Sequence, residues 1–341
     1  MTETLARGLI ERGHEVIVLG APGSALESRI SGIAQYEGVL KGMDLHPLSV
    51  ARARKALIRN RAQVVLAMMK KDVRLAGPAA SLCGIPTVVR HANDRPLTGW
   101  VYDRFLFGHL PAAHIANSRA TMKTLLESAS WLRQKKLEVV YNGVDCASIE
   151  AAAAADFDLP DGAIVVTFAA RLERRKGLMD LMAAWPAVAA SVPQAHLLVV
   201  GKGPDEAEAR SVTADAPGIH WLGYRGDVAS VLRASDIAVV PSHWEGFGLI
   251  AAEAMCARLP VVAARASSLP EIILEGETGI LVPPRSPAQL AEALVRLARD
   301  PELRQRLGES GRERAAKRFS QAGMINEYER ILGQVVRHPG V

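Results

Sequence analysis

The chain has 341 residues, 49% hydrophobic and 23% charged, with a formal net charge of +5. That length suits two α/β domains better than one core, and the composition is globular, which excludes a disordered or fibrous protein. No stretch reaches the roughly 18 uncharged apolar residues of a membrane span, and 5% aromatics with no recognised binding motif argue against nucleic acid as a partner.

The charge is uneven. Residues 1–150 hold 20 Lys+Arg against 13 Asp+Glu, while residues 151–341 hold 21 against 23. A basic first half suits an anionic acceptor or an anionic membrane surface, and equally a solvated face such as Arg52-Ala53-Arg54-Lys55. The start, Met1-Thr2-Glu3-Thr4-Leu5-Ala6-Arg7, has neither the basic nor the apolar part of a signal peptide. The expected location is the cytoplasm, with peripheral attachment at the inner face of the cell membrane as a further expectation. Cys83, Cys146 and Cys256 form no Cys-x-x-Cys pair. They read as reduced, partly buried thiols, and no metal site is suggested.

Along the chain, Leu5, Leu9 and Ile10 at helical spacing predict a helix over 1–12 that Gly13 stops, and 14–19 predicts a strand. The chain therefore opens in a helix, with no strand before it. A basic amphipathic helix is expected over 50–60 and a strand over 63–68, followed by Lys70, Lys71 and Arg74 and a helix through Leu82. A strand over 86–89 ends in Arg90-His91-Ala92-Asn93-Asp94-Arg95. Both polar clusters follow strands and so belong on the ligand edge of a parallel sheet. Lys70, Lys71, Arg74 and Arg95 are candidates to hold a phosphate or carboxylate on an acceptor. His91 is a candidate for the chemistry, although a lone histidine has an equally ready structural role. Helices over 100–107 and 118–127 flank a strand at 114–116, with Asn117-Ser118 as cap. An alanine-rich stretch, 151–155, and residues 156–162 read as a linker.

The same alternation then restarts. A strand over 164–169 leads through Arg171-Leu172-Glu173-Arg174-Arg175-Lys176-Gly177 into a helix over 178–188. A strand over 196–200 ends in Gly201-Lys202-Gly203-Pro204, which lacks the spacing of a dinucleotide fingerprint. A strand and loop over 220–226 and a helix over 227–234 follow. The apolar run 237–240, ended by Pro241, precedes the turn Glu245-Gly246-Phe247-Gly248, a helix over 249–257 and a further strand after Pro260. Helices over 287–299 and 324–335, with basic helices between, complete the chain.

The turn at 245–248 lies at the carboxyl end of a buried strand, where open α/β sheets bind ligands. Its glycines let backbone approach a ligand, and the helix it opens presents N–H groups that favour phosphate. Glu245 and Glu253 flank it, and a carboxylate accepting two hydrogen bonds suits the paired hydroxyls of a ribose or hexose. Each alone reads as a solvated loop acid or a helix N-terminal charge; both together, framing Gly-Phe-Gly between two buried strands, favour a site.

Glu245-x7-Glu253 around Gly-Phe-Gly resembles the signature of the family 4 retaining glycosyltransferases, and more broadly the bacterial envelope and lipopolysaccharide glycosyltransferases. Tyr141-Asn142-Gly143-Val144-Asp145, Arg171 with Lys176, and the Gly201 turn fit that family in order. The resemblance implies the GT-B fold, two Rossmann-like parallel-sheet domains facing across a cleft. It implies an acceptor-side domain over 1–148, a nucleotide-sugar domain over 149–320, and a C-terminal helix, 321–336, packing back on the first domain. It also implies a strand and glycine turn ahead of residue 1, so the expectation is a start placed too late or a truncated copy lacking the first strand. Ser267-Ser268-Leu269-Pro270-Glu271 stands where the family has Gly-Gly-x-Pro-Glu, which puts Glu271 in doubt as a site residue.

By the same resemblance, Arg171, Lys176, Gly201 and the Gly246, Phe247, Gly248 and Leu249 backbone hold the donor diphosphate. Glu253 holds the ribose, Glu245 contacts the donor sugar, and His91 lies across the cleft. The implied activity is metal-independent, retaining transfer of a hexose-type sugar from a nucleotide-diphosphate donor to a glycan or lipid-linked acceptor. No cofactor is implied beyond that co-substrate. Two alternatives stand: an impaired homologue that only binds nucleotide, and a nicotinamide-dependent oxidoreductase, which needs a Gly-x-Gly-x-x-Gly that neither half has.

Overall fold

The structure, a computed structural model, describes residues 1–39, 47–97 and 101–337. Two units divide the chain: Met1–Gly143 with Gln321–Val341, and Val144–Ser320. Every paired strand runs parallel to its neighbours. No described helix is long and apolar enough to cross a membrane.

The first unit opens with the helix Thr2–Ile10, after which Gly13 turns at φ +84°. Its strands lie in two sheets. β1 (Ile17–Gly20) pairs with β2 (Gln35–Gly38), while β3 (Val65–Ala67), β4 (Thr87–His91), β5 (Pro111–Ala116) and β6 (Lys136–Val139) form a second sheet in that order. Side chains alternate across a strand, so one sheet can bury two faces. Val88, Ala113 and Ile115 pack with Leu5 and Leu9 of the first helix and Met324, Tyr328 and Ile331 of the last, Gln321–Arg337. Val89 and Ala116 pack on the other face with Val73, Phe107 and Leu125. The helix and strand over Ala25–Ile30 and Gln35–Gly38 carry no strong periodic signal and were not expected.

Several elements differ from expectation. β4 runs on through Arg90 and His91, all five of its residues buried, so these two belong to the strand and not to the loop after it. The helix expected over 100–107 is a short turn, Val101–Asp103, continuing as a π-helix over Arg104–His109; Trp100 lies outside the described residues. The cysteines require a correction. Cys146 and Cys256 form a disulfide and Cys83 alone is free. The two partners are 110 positions apart, so nothing in their local spacing announces a pair whose Cα atoms the fold brings to 4.8 Å.

The second unit is one six-stranded sheet in the order β12-β11-β10-β7-β8-β9. Its strands are β7 (Ile164–Ala169), β8 (Ala195–Val200), β9 (Ile219–Gly223), β10 (Ile237–Val240), β11 (Val261–Ala264) and β12 (Gly279–Val282). β10 and β11 are buried at every residue, as short β-branched and apolar runs in a doubly covered parallel sheet must be. Trp185, fully buried on the helix Leu178–Ser191, donates its indole N–H to the Pro217 carbonyl at 2.9 Å. From β7 the chain winds outward through β8 and β9, then returns to the other side through β10, β11 and β12. The order therefore reverses between β7 and β10, and a crevice opens at their carboxyl ends.

Candidate donor site at the switch point of the second unit

Two connections leave the carboxyl ends of the strands at that reversal. After β7 the chain makes a short 3-10 turn, Arg174–Lys176, and enters the helix Leu178–Ser191 through Gly177 at φ +72°. A Cβ at Gly177 would stand 2.0 Å from the Pro241 carbonyl oxygen, so only glycine lets this loop close on the end of β10. Gly201 is constrained alike: its φ is +135°, and a Cβ would meet the Ala170 carbonyl oxygen at 1.9 Å. The strand ends are thereby drawn together.

That closeness carries Lys176 to Glu245. Lys176 Nζ lies 2.6 Å from Glu245 Oε1, and Ser242 Oγ donates to the same oxygen at 2.9 Å. Glu245 is 8% exposed, so its charge is held where water is scarce and the cation and hydroxyl replace hydration. Neighbouring groups brace the loops. His243 Nε2 sits 2.5 Å from Asp180 Oδ2, the His243 amide donates to the Arg175 carbonyl at 2.9 Å, and the Arg175 guanidinium lies over the Trp244 ring.

Gly248, at φ +90°, opens the helix Leu249–Cys256. Phe247 is buried and meets Phe319 edge-on, with centroids 5.5 Å apart. Glu253 lies one turn into that helix, and burial pushes its carboxyl above the usual range. Arg171 is exposed, and its nearest acid is Glu173 at 3.9 Å. Lys176 and Glu245 are thus brought into contact, while Arg171 stands at the surface.

The sequence did not single out Ser242, Asp180 or His243, and treated Ser268 only as a replacement for glycine. Ser242 could have been found from its place two residues beyond β10; the others meet their partners only through the fold.

In the first unit, His91 ends β4 with 7% exposure and stacks on His114, Nε2 lying 3.0 Å from His114 Nδ1. Burial first, then the charges of His114, Lys70 and Arg90, hold the His91 imidazole well below its ordinary range. Burial lowers His114 to about 4. Both rings are therefore neutral near pH 7, and one nitrogen of His91 is occupied by its neighbour. Lys70 Nζ is 3.1 Å from buried Asp103 and lies over the Phe107 ring. Lys71 and Arg95 are exposed and Arg74 is half-buried. Arg90, which the sequence left without a role, is buried and donates to the Asn142 side-chain oxygen at 2.8 Å.

A parallel sheet with a reversed strand order, a cation–carboxylate pair at its carboxyl edge and glycine-tightened loops define a Rossmann-like unit. Comparison with known proteins specifies it further. Residues 1–148 match the family described as Glycosyltransferase Family 4, and residues 151–314 match Glycosyl transferases group 1. The chain is 37% identical over 195 residues to a D-inositol 3-phosphate glycosyltransferase of Corynebacterium kroppenstedtii, covering 53% of this chain and 43% of that protein. It is 28% identical over 302 residues to an alpha-maltose-1-phosphate synthase of Mycolicibacterium smegmatis, covering 76% of each. The chain spans about half the length of the first curated relatives it matches. In fold it is similar to a Rickettsia africae glycosyltransferase, with TM-score 0.87, 17% identity and coverage of 99% of this chain and 94% of that one. It is likewise similar to Anabaena HepE in complex with UDP and glucose, with TM-score 0.82, 20% identity and coverage of 97% and 94%. The chain belongs to the family 4 glycosyltransferases of the GT-B fold. That membership sets aside the nicotinamide-dependent alternative.

Proposed function

We propose that this protein is a retaining glycosyltransferase that moves a hexose-type sugar from a nucleotide-diphosphate donor to a glycan or lipid-linked acceptor. The Lys176–Glu245 contact carries the reading. Lys176 supplies a cation for the diphosphate, Glu245 a carboxylate for the hydroxyls of the donor sugar, and Glu253 a second carboxylate for the ribose. The bond from the anomeric carbon to the phosphate oxygen breaks, the nucleoside diphosphate leaves, and the acceptor hydroxyl oxygen forms the new glycosidic bond as its proton passes to the departing diphosphate. Fixed cations at the departing diphosphate lower the barrier by stabilising the charge that develops there. Lys176 and Arg171 in that role make the transfer metal-independent, with no cofactor beyond the nucleotide sugar.

HepE is named in complex with UDP, UDP-glucose, and UDP with glucose, which supports a nucleotide-sugar donor here. For the acceptor side we place Lys70, Lys71, Arg74 and Arg95 toward an anionic group, with His91 nearby as the proposed catalytic partner. The excess of 20 Lys+Arg over 13 Asp+Glu in residues 1–150 supports an acceptor or membrane surface of negative charge. We place the protein in the cytoplasm, attached peripherally to the inner face of the cell membrane. A second reading, a homologue that binds nucleotide without transfer, draws on the separation of β1–β2 from β3–β6.

A thermal-shift screen against UDP-, GDP- and ADP-sugars, repeated with Glu253→Ala, tests the donor. A ligand at 100 times its Kd adds about 2.7 kcal/mol of stability. A shift with one nucleotide class that vanishes in the variant supports the donor site. No shift with any class overturns it. A shift without released nucleoside diphosphate in a product assay with candidate glycan acceptors favours the second reading.

A further inference from the structure

We propose that Ser268 is the positioning residue that sets the orientation of the Phe247–Gly248 peptide in the donor turn, so that the Gly248 amide faces the nucleotide diphosphate. The inference rests on the donor site proposed above and adds the part that holds it in shape.

Ser268 is fully buried, and its hydroxyl donates to the Phe247 carbonyl at 2.8 Å, with the Glu245 carbonyl at 3.3 Å. One O–H serves one acceptor at a time, so the shorter contact to Phe247 is the principal bond. The described chain contains no cis peptide. In a trans peptide the N–H points opposite to the carbonyl of the same unit. Drawing the Phe247 carbonyl toward Ser268 directs the Gly248 amide of the same peptide unit away from it. Glycines lack the Cβ that would otherwise limit φ and ψ, so peptide planes beside them turn easily and need an external restraint.

Ser268 is itself anchored. Its carbonyl accepts from the Glu271 amide at 2.9 Å within the short helix Leu269–Ile272. Arg314 reaches the carbonyls of Glu271 and Ile272 at 2.7 and 2.8 Å. A chain of contacts thus runs from Arg314 through this helix to the turn. The neighbouring Ser267 takes φ +48°, in the left-handed region that a non-glycine residue adopts at some backbone strain.

The test titrates UDP, GDP and ADP into wild type, S268A and S268G by calorimetry, with the melting temperature of each ligand-free protein measured alongside. We expect wild type to bind one of them and both variants to bind it about fivefold more weakly, from the loss of one buried hydrogen bond. Isotope-labelled glycine adds a readout that a general loss of stability would not move. The Gly248 amide signal should shift on adding nucleotide in wild type and shift less in the variants. S268G keeps the test open if S268A does not fold. Equal affinity in wild type and variants overturns the role of Ser268 while leaving the donor site intact. Absence of binding in folded wild type overturns the donor site and this inference together.

Discussion

Lys176 and Glu245 lie 69 residues apart in sequence, yet Nζ and Oε1 meet at 2.6 Å with side chains only 16% and 10% exposed. The pair joins the loop after β7 to the loop after β10, across the point where the strand order reverses. A buried charge left without its partner is costly, so Lys176→Ala is expected to destabilise the protein by about 3 kcal/mol. Nucleotide-diphosphate binding should weaken by at least about tenfold, the loss of one charge-assisted hydrogen bond. Denaturant unfolding and nucleotide titration of the variant check both numbers.

Glu253 trades stability for binding. Burial raises its carboxyl above the usual range, so its folded value exceeds its unfolded one and stability declines as pH rises through the folded value. Glu253→Gln removes that cost at neutral pH, and the melting temperature should rise or hold. The same change should weaken nucleotide binding by roughly tenfold or more, because an amide replaces a charged acceptor. A variant that is less stable and binds unchanged would contradict the assignment.

Acid should loosen the first unit. The imidazoles of His91 and His114 are lowered by burial, His114 to about 4, against an unfolded value near 6.5. Between those values the unfolded chain takes up protons that the folded one refuses, so stability is full above about 6.5 and lost as pH falls toward about 4. The His114 shift corresponds to about 3 kcal/mol. Urea unfolding at pH 7 and pH 5 should show the decline, and His114→Gln should flatten it.

Cys146 and Cys256 close a loop of 110 residues inside the second unit. Closing a loop of that length restricts the unfolded chain, which stabilises the folded one by about 5 kcal/mol in the chain-entropy account. Reduction, or Cys146→Ser, should lower the unfolding midpoint of this unit by a corresponding amount. Thiol titration of the unfolded, unreduced protein should find one reactive cysteine, Cys83, and three after reduction.

Local order was legible in the residues themselves. The apolar run 237–240 and the glycines of the 245–248 turn announce a buried strand followed by a helix N-terminus, and the structure has β10 and the helix Leu249–Cys256 there. Side-chain periodicity and the backbone freedom of glycine are properties of neighbouring residues, so they can be read without a fold. Glu245 and Glu253 were visible as candidates because both lie within that one segment.

Partnership was decided by the tertiary structure. Lys176 with Glu245, Cys146 with Cys256, His91 with His114, and Ser268 with Phe247 join residues between 21 and 110 positions apart. Each pairing depends on which strands lie side by side and in what register, and a local pattern is the same for every strand order. The same physics corrects the thiols and moves His91 from an open loop to the buried end of β4. Sequence alone thus determined the segments, the glycine turns and the family they resemble; sheet order, by bringing distant strand ends within hydrogen-bond reach, decided which side chains share a charge, a proton or a sulfur.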